Sequence, residues 1–275
     1  MWRRRRLWRL RRIMNIGLGY RRELDAWIGS QPPDMDCLEL TAEHFFPGDG
    51  ETLARLAKKF QLYVHGLGLS LGTPGPLDPQ RLDQFARVVR LANPEWISDH
   101  IAFTRTVEAD LGHLNPVPPT RAMLRVIADH AREVSERCQK PILLENITSH
   151  LQLTGDLSET DFLNQLCERA DCGLLLDVTN LFINSRNHGY DAPQWLHAIE
   201  PGRITQLHIV GYSRAGERYT DSHSQPIQEE LIELAQAVVR HAPVKAITLE
   251  WDEDFPATPV LELEIAKLKR IRAGN

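Results

Sequence analysis

Six short apolar runs of this chain each end in a side chain that can bind a metal or exchange a proton. "LYVHG" carries His65, "WISDH" ends on Asp99 and His100, and "PILLEN" ends on Glu145 and Asn146. "CGLLLDV" carries Asp177 with Asn180 just beyond it, "ITQLHIV" carries His208, and "AITLEWD" carries Glu250 and Asp252. A charged group at the end of a buried run is costly unless it is paired or metal-bound. One such residue reads as a salt bridge or a helix cap. Six in succession, three of them bearing histidine, read as a metal site.

Two further segments add donors. "YTDSHSQP" offers Asp221 and His223, whose alternation puts both on one side of an extended segment. "NSRNHGYDA" offers His188. The expected ligand set is therefore His65, His100, Glu145, Asp177, His208, Asp221, His223 and Glu250, with His188 and Asn180 as additional candidates. Imidazole and carboxylate without thiolate suit iron, manganese or zinc, and not copper(I) or an iron–sulfur cluster. A single ion takes about four to six ligands, so this set points to two or three ions. The carboxylates Glu145, Asp177, Asp221 and Glu250 would balance two divalent ions, and Glu145, central in the set, is placed to bridge. His113, His130, His150, His197 and His241 lack such partners and read as surface or structural residues. Glu39 within the second apolar run, and Glu43 just after it with His44 beside it, either line the site or pair with a basic neighbour.

The elements that must position these donors follow from the pattern. Eight apolar runs bounded by turn signals predict strands at 15–20, 37–40, 62–66, 96–100, 141–146, 172–178, 204–210 and 246–252. Between them lie amphipathic helical patterns, such as Leu82, Phe85, Val88 and Val89, or Met123, Val126, Ile127 and Val134. Eight strand–helix alternations in about 250 residues fit a single (β/α)8 TIM barrel. Its parallel strands, buried on both faces, read as continuous apolar runs. An open doubly wound sheet is the runner-up, but no G-x-G-x-x-G opens a helix after the first strand. In a barrel, the C-terminal strand ends converge on one mouth, where active sites sit.

Composition sets the boundaries. The opening "MWRRRRLWRLRR" holds seven arginines and no acid, yet the whole chain carries a net charge of −5. The remainder is thus acidic and poorly suited to bind nucleic acid. Residues 1–13 are expected to be a disordered extension ahead of a domain spanning 14–275. No apolar run reaches about 18 residues, so no membrane span is expected. The four cysteines (Cys37, Cys138, Cys167 and Cys172) form no C-x-x-C pair, and free thiols in the cytoplasm are expected.

The stretches "HGLGLSLG", "SDHIAFT", "PILLENIT", "CGLLLDVTNLFINSRNHGYD", "QLHIVG", "DSHSQP" and "LEWDEDFP" resemble the multinuclear non-haem iron-dependent oxidative enzymes, the TIM-barrel family that includes the methanobactin-biosynthesis iron oxidase. The resemblance runs from about Gly17 to Pro256. It implies two or three iron ions, dioxygen as co-substrate, and oxidation of cysteine in a ribosomally made precursor peptide. It also implies a small partner protein that delivers the peptide leader. Carried over by motif, it marks His65, His100, Glu145, Asp177, Asn180, His188, His208, Asp221, His223 and Glu250 as metal-site residues. Two mouth segments depart from the family pattern. "AEHFF" stands where the family has Ser-Glu-Asn-Tyr-Phe, and "LNPVPPT" where it has Leu-Pro-Leu-Pro-Tyr-Thr. A redox-inert zinc or manganese barrel enzyme, of sugar isomerase or phosphodiesterase type, would use the same donor types, as would a metal-binding module without catalysis.

Overall fold

The structure of the protein, a computed structural model, describes residues 14–30, 34–106 and 108–274. The basic opening, expected to be an extension, lies outside the described residues. Eight parallel strands close into a barrel: β1 (Asn15–Tyr20), β2 (Cys37–Thr41), β3 (Gln61–His65), β4 (Ile97–His100), β7 (Ile142–Glu145), β8 (Gly173–Asp177), β9 (Ile204–Ile209) and β12 (Ala246–Leu249). Each corresponds to one of the eight apolar runs. Closure comes from β1, which pairs with β2 on one side and β12 on the other.

The strands alternate more strictly than their apolar composition suggests. Leu38, Leu40, Leu62, Val64, Leu144, Leu174, Leu176, Ile247 and Leu249 belong to the large core between barrel and helices. The residues between them face inward. Cys37, Tyr63, Leu143, Leu175 and Ala246, with Trp96, form a separate apolar plug. Two residues further along the same strands stand Glu39, His65, Glu145, Asp177 and Thr248. Because side chains on one face of a strand recur every second residue, the plug and the polar layer above it are consecutive floors of one interior. On β1 the inward position beside Cys37 is Gly17. A Cβ there would lie 2.3 Å from Cys37 Sγ, so the close approach admits only glycine.

The outer ring is built from α1 (Asp25–Ser30), α2 (Gly50–Ala57), α3 (Pro79–Ala92), α4 (Arg121–Cys138), α5 (Glu159–Ala170), α6 (Val178–His188), α7 (Ala192–His197), α8 (Glu229–His241) and α9 (Thr258–Ala273). Local sequence starts them: the side chains of Asp49, Asp78, Thr120, Ser158, Asp177 and Asp191 each accept a backbone N–H as N-caps. In α4 the buried stripe is Leu124, Ile127, Ala128, Ala131 and Val134. The stripe drawn through Met123 and Val126 is displaced by about one position, leaving those two half-buried. No helix among the described residues is long and apolar enough to cross a membrane.

Two antiparallel hairpins rise beyond the strand ends: β5 (Ala102–Arg105) with β6 (Asp110–Pro116), and β10 (Gly211–Ala215) with β11 (Arg218–Gln225). Their strands are polar and largely half-exposed, so the apolar pattern does not register them. The second hairpin carries Asp221 and His223. The first follows directly on β4 and His100.

Candidate metal centre

The inward floor above the plug gathers three adjoining groups of donors, each with ligand atoms within 4.8 Å of one another. His65, His100 and Glu145 make the first. His65 Nδ1 hydrogen-bonds Ser98 Oγ at 2.9 Å. That leaves Nε2 turned toward Glu145 Oε2, 3.3 Å away, and His100 Nε2 reaches the same oxygen at 3.4 Å. The second group is Glu145, Asp177, His208 and Glu250. His208 Nδ1 stands 3.0 Å from both Glu145 Oε1 and Glu250 Oε2. Asp177 spends Oδ1 on capping α6, through Asn180 N. The third group is His223, Glu250 and Asp252. His223 Nδ1 lies 3.6 Å from Glu250 Oε2 and 3.4 Å from Asp252 Oδ2. Glu145 is thus common to the first two groups and Glu250 to the last two.

The chemistry of these atoms fits cations. His65 Nε2, Glu145 Oε2, Asp177 Oδ2, His223 Nδ1 and Glu250 Oε2 are buried and have no hydrogen-bond partner. Buried polar atoms are otherwise almost always paired, and here the orphans point at one another. Burial, reinforced by His100 and His208, pushes the His65 imidazole well down, and burial with His208 beside it takes His100 to about 3. Both rings are neutral, as ligands must be. Burial raises Glu145 to about 8; His208 opposes the rise, and Glu250 and Glu39 add to it. Burial with Glu145, Asp221 and Glu250 nearby likewise raises Asp177. For His208 burial acts downward, but Glu250, Glu39 and Glu145 outweigh it and raise the ring. The raised carboxyls of Glu145 and Asp177 favour their protonated forms until a cation replaces the proton.

The remaining sequence candidates sit around these groups. Asp221 is in none of them; its carboxylate meets His223 Nε2 at 2.9 Å and so fixes the ring from behind. His223 itself has φ 45°, a left-handed backbone uncommon for a non-glycine residue. The backbone bond from Asp252 N to His223 O, 2.8 Å, holds it there. Asn180 is buried but committed, donating to Asn146 O and accepting from Thr148. His188 closes α6, meets Ser149 O through Nε2 at 2.8 Å, and lines a cavity of about 520 Å³ beside the mouth.

Three residues left unassigned by the sequence now have places. Asp252 joins the third group while also pairing with Arg21. Glu39 faces His208. Glu43 turns to the glycine-rich segment after β3, where Oε1 accepts from Leu67 N at 3.0 Å and Gly68 N at 2.8 Å. That segment passes close to the site: a Cβ on Gly66 would lie 2.5 Å from Asp99 Oδ2. His44 is exposed. His130 is buried and bridges Leu71 O and Gly75 O at 2.8 Å each, pinning the same segment from α4.

A closed parallel barrel with an inward cluster of imidazole and carboxylate donors defines a TIM barrel equipped to hold metal ions. Residues 15–273 match the family model of the RiPP precursor modification enzymes MbnB/TglH/ChrH, whose substrates are ribosomally made peptides, and the chain belongs to that family. Among its relatives is a UPF0276 protein of Chromobacterium violaceum, 34% identical over 269 residues and covering 95% of each chain. Another, from Acaryochloris marina, is 33% identical over 256 residues, 92% of each. Solved structures share the fold at low identity. D-psicose 3-epimerase from Clostridium cellulolyticum H10 superposes with a TM-score of 0.62 at 11% identity, covering 94% of this chain and 99% of that one. The IOLI protein, solved with a zinc atom, gives 0.55 at 11% identity, with 94% and 96% covered.

Proposed function

We propose that this chain is a multinuclear non-haem iron oxidase that uses dioxygen to modify cysteine in a ribosomally synthesised precursor peptide. The observation that carries the proposal is the linkage of the donor groups. Three sets of imidazole and carboxylate atoms share Glu145 and Glu250, so ions bound in them would be neighbours joined by carboxylates. His65, His100, Glu145, Asp177, His208, Glu250, His223 and Asp252 would hold the ions. Asp221 would act through His223, while Asn180 and His188 would shape the surroundings. Bound iron would supply the one-electron chemistry with dioxygen that no side chain of the chain can provide.

The chain's own residues prepare that chemistry. Ser98 and Asp221 fix the ring orientations of His65 and His223. The apolar plug beneath the polar floor keeps water from entering through the bottom of the barrel. The side chains of Glu145 and His208 are 1% and 0% exposed, whereas those of His223 and Asp252 are 21% and 32% exposed. A peptide thiol would therefore approach from the third group, at the mouth framed by the two hairpins. A small leader-binding partner protein would present the peptide there.

The test is anaerobic purification, metal analysis, iron Mössbauer spectroscopy, and oxygen uptake with a cysteine-bearing precursor peptide. Two or three irons per chain, with peptide-dependent oxygen uptake and a mass change at cysteine, are expected. Stoichiometric zinc or manganese, with no oxygen uptake after iron loading, would replace the oxidase with a redox-inert metal enzyme.

A further inference from the structure

Beneath His208 runs a buried hydrogen-bond chain whose other members, Glu39, Gln206, Thr248 and Trp96, are not among the proposed ion ligands. Trp96 Nε1 donates to Gln206 Oε1 at 2.6 Å. Gln206 Nε2 donates to Glu39 Oε2 at 2.5 Å and to Thr248 Oγ1 at 3.2 Å. Glu39 Oε1 meets His208 Nε2 at 2.5 Å. All five residues are buried. The direction of the chain is fixed from its lower end. An indole N–H only donates, so the oxygen of the Gln206 amide must face Trp96 and its NH2 must face Glu39. Trp96 is itself held, stacked on Tyr63 with ring centroids 4.3 Å apart.

We infer that Glu39, set by Gln206 and Trp96, is the positioning residue that keeps the proton of His208 on Nε2 and presents the Nδ1 lone pair to the metal centre. On the far side of the ring, Nδ1 faces the carboxyl groups of Glu145 and Glu250 at 3.0 Å each, the two groups shared between neighbouring donor sets. With the proton kept on Nε2, a cation bonded to Nδ1 would take the place of the proton that otherwise joins the ring to these carboxyls. Carboxylates behind metal-bound histidines fix ring tautomer and raise ligand basicity, and removing one costs about 10–100-fold in affinity. The inference rests on the metal centre proposed above but not on iron or on oxidation.

The chain makes an unusual demand of the conservative variant. In Glu39→Gln the new amide must offer its oxygen to Gln206 Nε2, which can only donate. Its NH2 then faces His208 Nε2, which must accept, and the ring proton moves to Nδ1, where it blocks the ion. In the double variant Glu39→Gln/Gln206→Met the amide is free to turn round and accept from His208 again.

The test is titration with cobalt(II), read by its d–d absorption. It is paired with long-range 1H–15N spectra of the zinc-loaded, 15N-histidine-labelled protein. Wild type is expected to show His208 bonded through Nδ1 with a proton on Nε2. Glu39→Gln is expected to bind cobalt about 10–100-fold more weakly. The double variant should recover most of that loss while melting at a lower temperature, because Trp96 loses its acceptor. A residue that served only stability would move affinity and melting together. If Glu39→Gln does not fold, Glu39→Ala takes its place, with weaker cobalt binding and faster exchange of the His208 Nε2 proton expected. Unchanged cobalt affinity in a folded Glu39 variant, a double variant no better than the single, or zinc on Nε2 would overturn the inference. Failure of the wild-type protein to take up cobalt would overturn the proposed centre as well.

Discussion

Replacing Glu145 with glutamine should act in opposite directions on the metal-free and metal-loaded protein. Glu145 is fully buried, 3.0 to 3.4 Å from His65, His100 and His208, and shared by two donor groups. Its carboxyl is raised to about 8, mainly by burial, from an unfolded value of 4.5. A carboxylate raised on folding contributes no penalty below the unfolded value, where both states are protonated. The penalty grows as pH rises from 4.5 and levels off above 8. At pH 7 the gap is about 2.5 units, or roughly 3 kcal/mol against folding at ~1.4 kcal/mol per unit. Glutamine keeps the shape without that penalty, so the metal-free variant should melt higher at pH 7 by about 5–10 °C. The metal-loaded protein behaves in reverse. Removing a unit negative charge about 4 Å from an ion costs about 4 kcal/mol for each unit of the ion's charge at an effective dielectric constant of 20, so at least roughly 1,000-fold in affinity per divalent ion. Differential scanning calorimetry in EDTA and elemental analysis after metal loading measure the two effects. Full metal occupancy in the variant would mean that Glu145 holds no ion, and a metal-free melting temperature no higher than wild type between pH 6 and 8 would mean that its burial carries no such penalty.

Other expectations follow from the same geometry. His223→Ala should lose about one ion per chain and keep the others, with little change in melting temperature. The third group is the most exposed, is built partly on a hairpin, and has Arg21 competing for Asp252; full metal content with unchanged turnover would place His223 outside the centre. Loading with manganese(II) at pH 7 should release about one or more protons per chain, because Glu145 titrates near 8 and ions replace its proton. Affinity should accordingly rise with pH between 6 and 8, and calorimetry in buffers of different ionisation enthalpy would count the protons. Gly17→Ala should destabilise the barrel by about 1–3 kcal/mol through overpacking against Cys37, and denaturant unfolding at an unchanged midpoint would contradict that.

The barrel was legible because its strands are buried on both faces, so each leaves a short apolar run whose last residues lie at one mouth. The same logic picked out His65, His100, Glu145, Asp177, His208 and Glu250, which the structure brings together in two adjoining donor groups and, for Glu250, a third. The hairpins were not legible, since β6 and β11 have no buried face to write a period into the sequence. The alternation of Asp221 and His223 was visible, but not the left-handed backbone at His223 that turns its ring inward and leaves Asp221 behind it. His188, named from its residue type and from the family resemblance, stands eleven residues along α6 from Asp177, roughly 16 Å of helix, and is in none of the three donor groups. Glu39 and Gln206 could not be linked from the sequence, as 167 residues separate them and only closure of the barrel brings them together. Asp252 was seen at its strand end. Nothing in the sequence showed that it would share a group with His223 and Glu250.

The most direct test of the central claim, a centre of neighbouring ions joined by Glu145 and Glu250, is anomalous diffraction at the iron edge from crystals of the iron(II)-loaded protein. One peak is expected among His65, His100 and Glu145 and a second among Glu145, Asp177, His208 and Glu250. A weaker third peak is predicted beside His223, Glu250 and Asp252. A single isolated peak, or peaks that leave Glu145 bonded only to histidine, would contradict that claim.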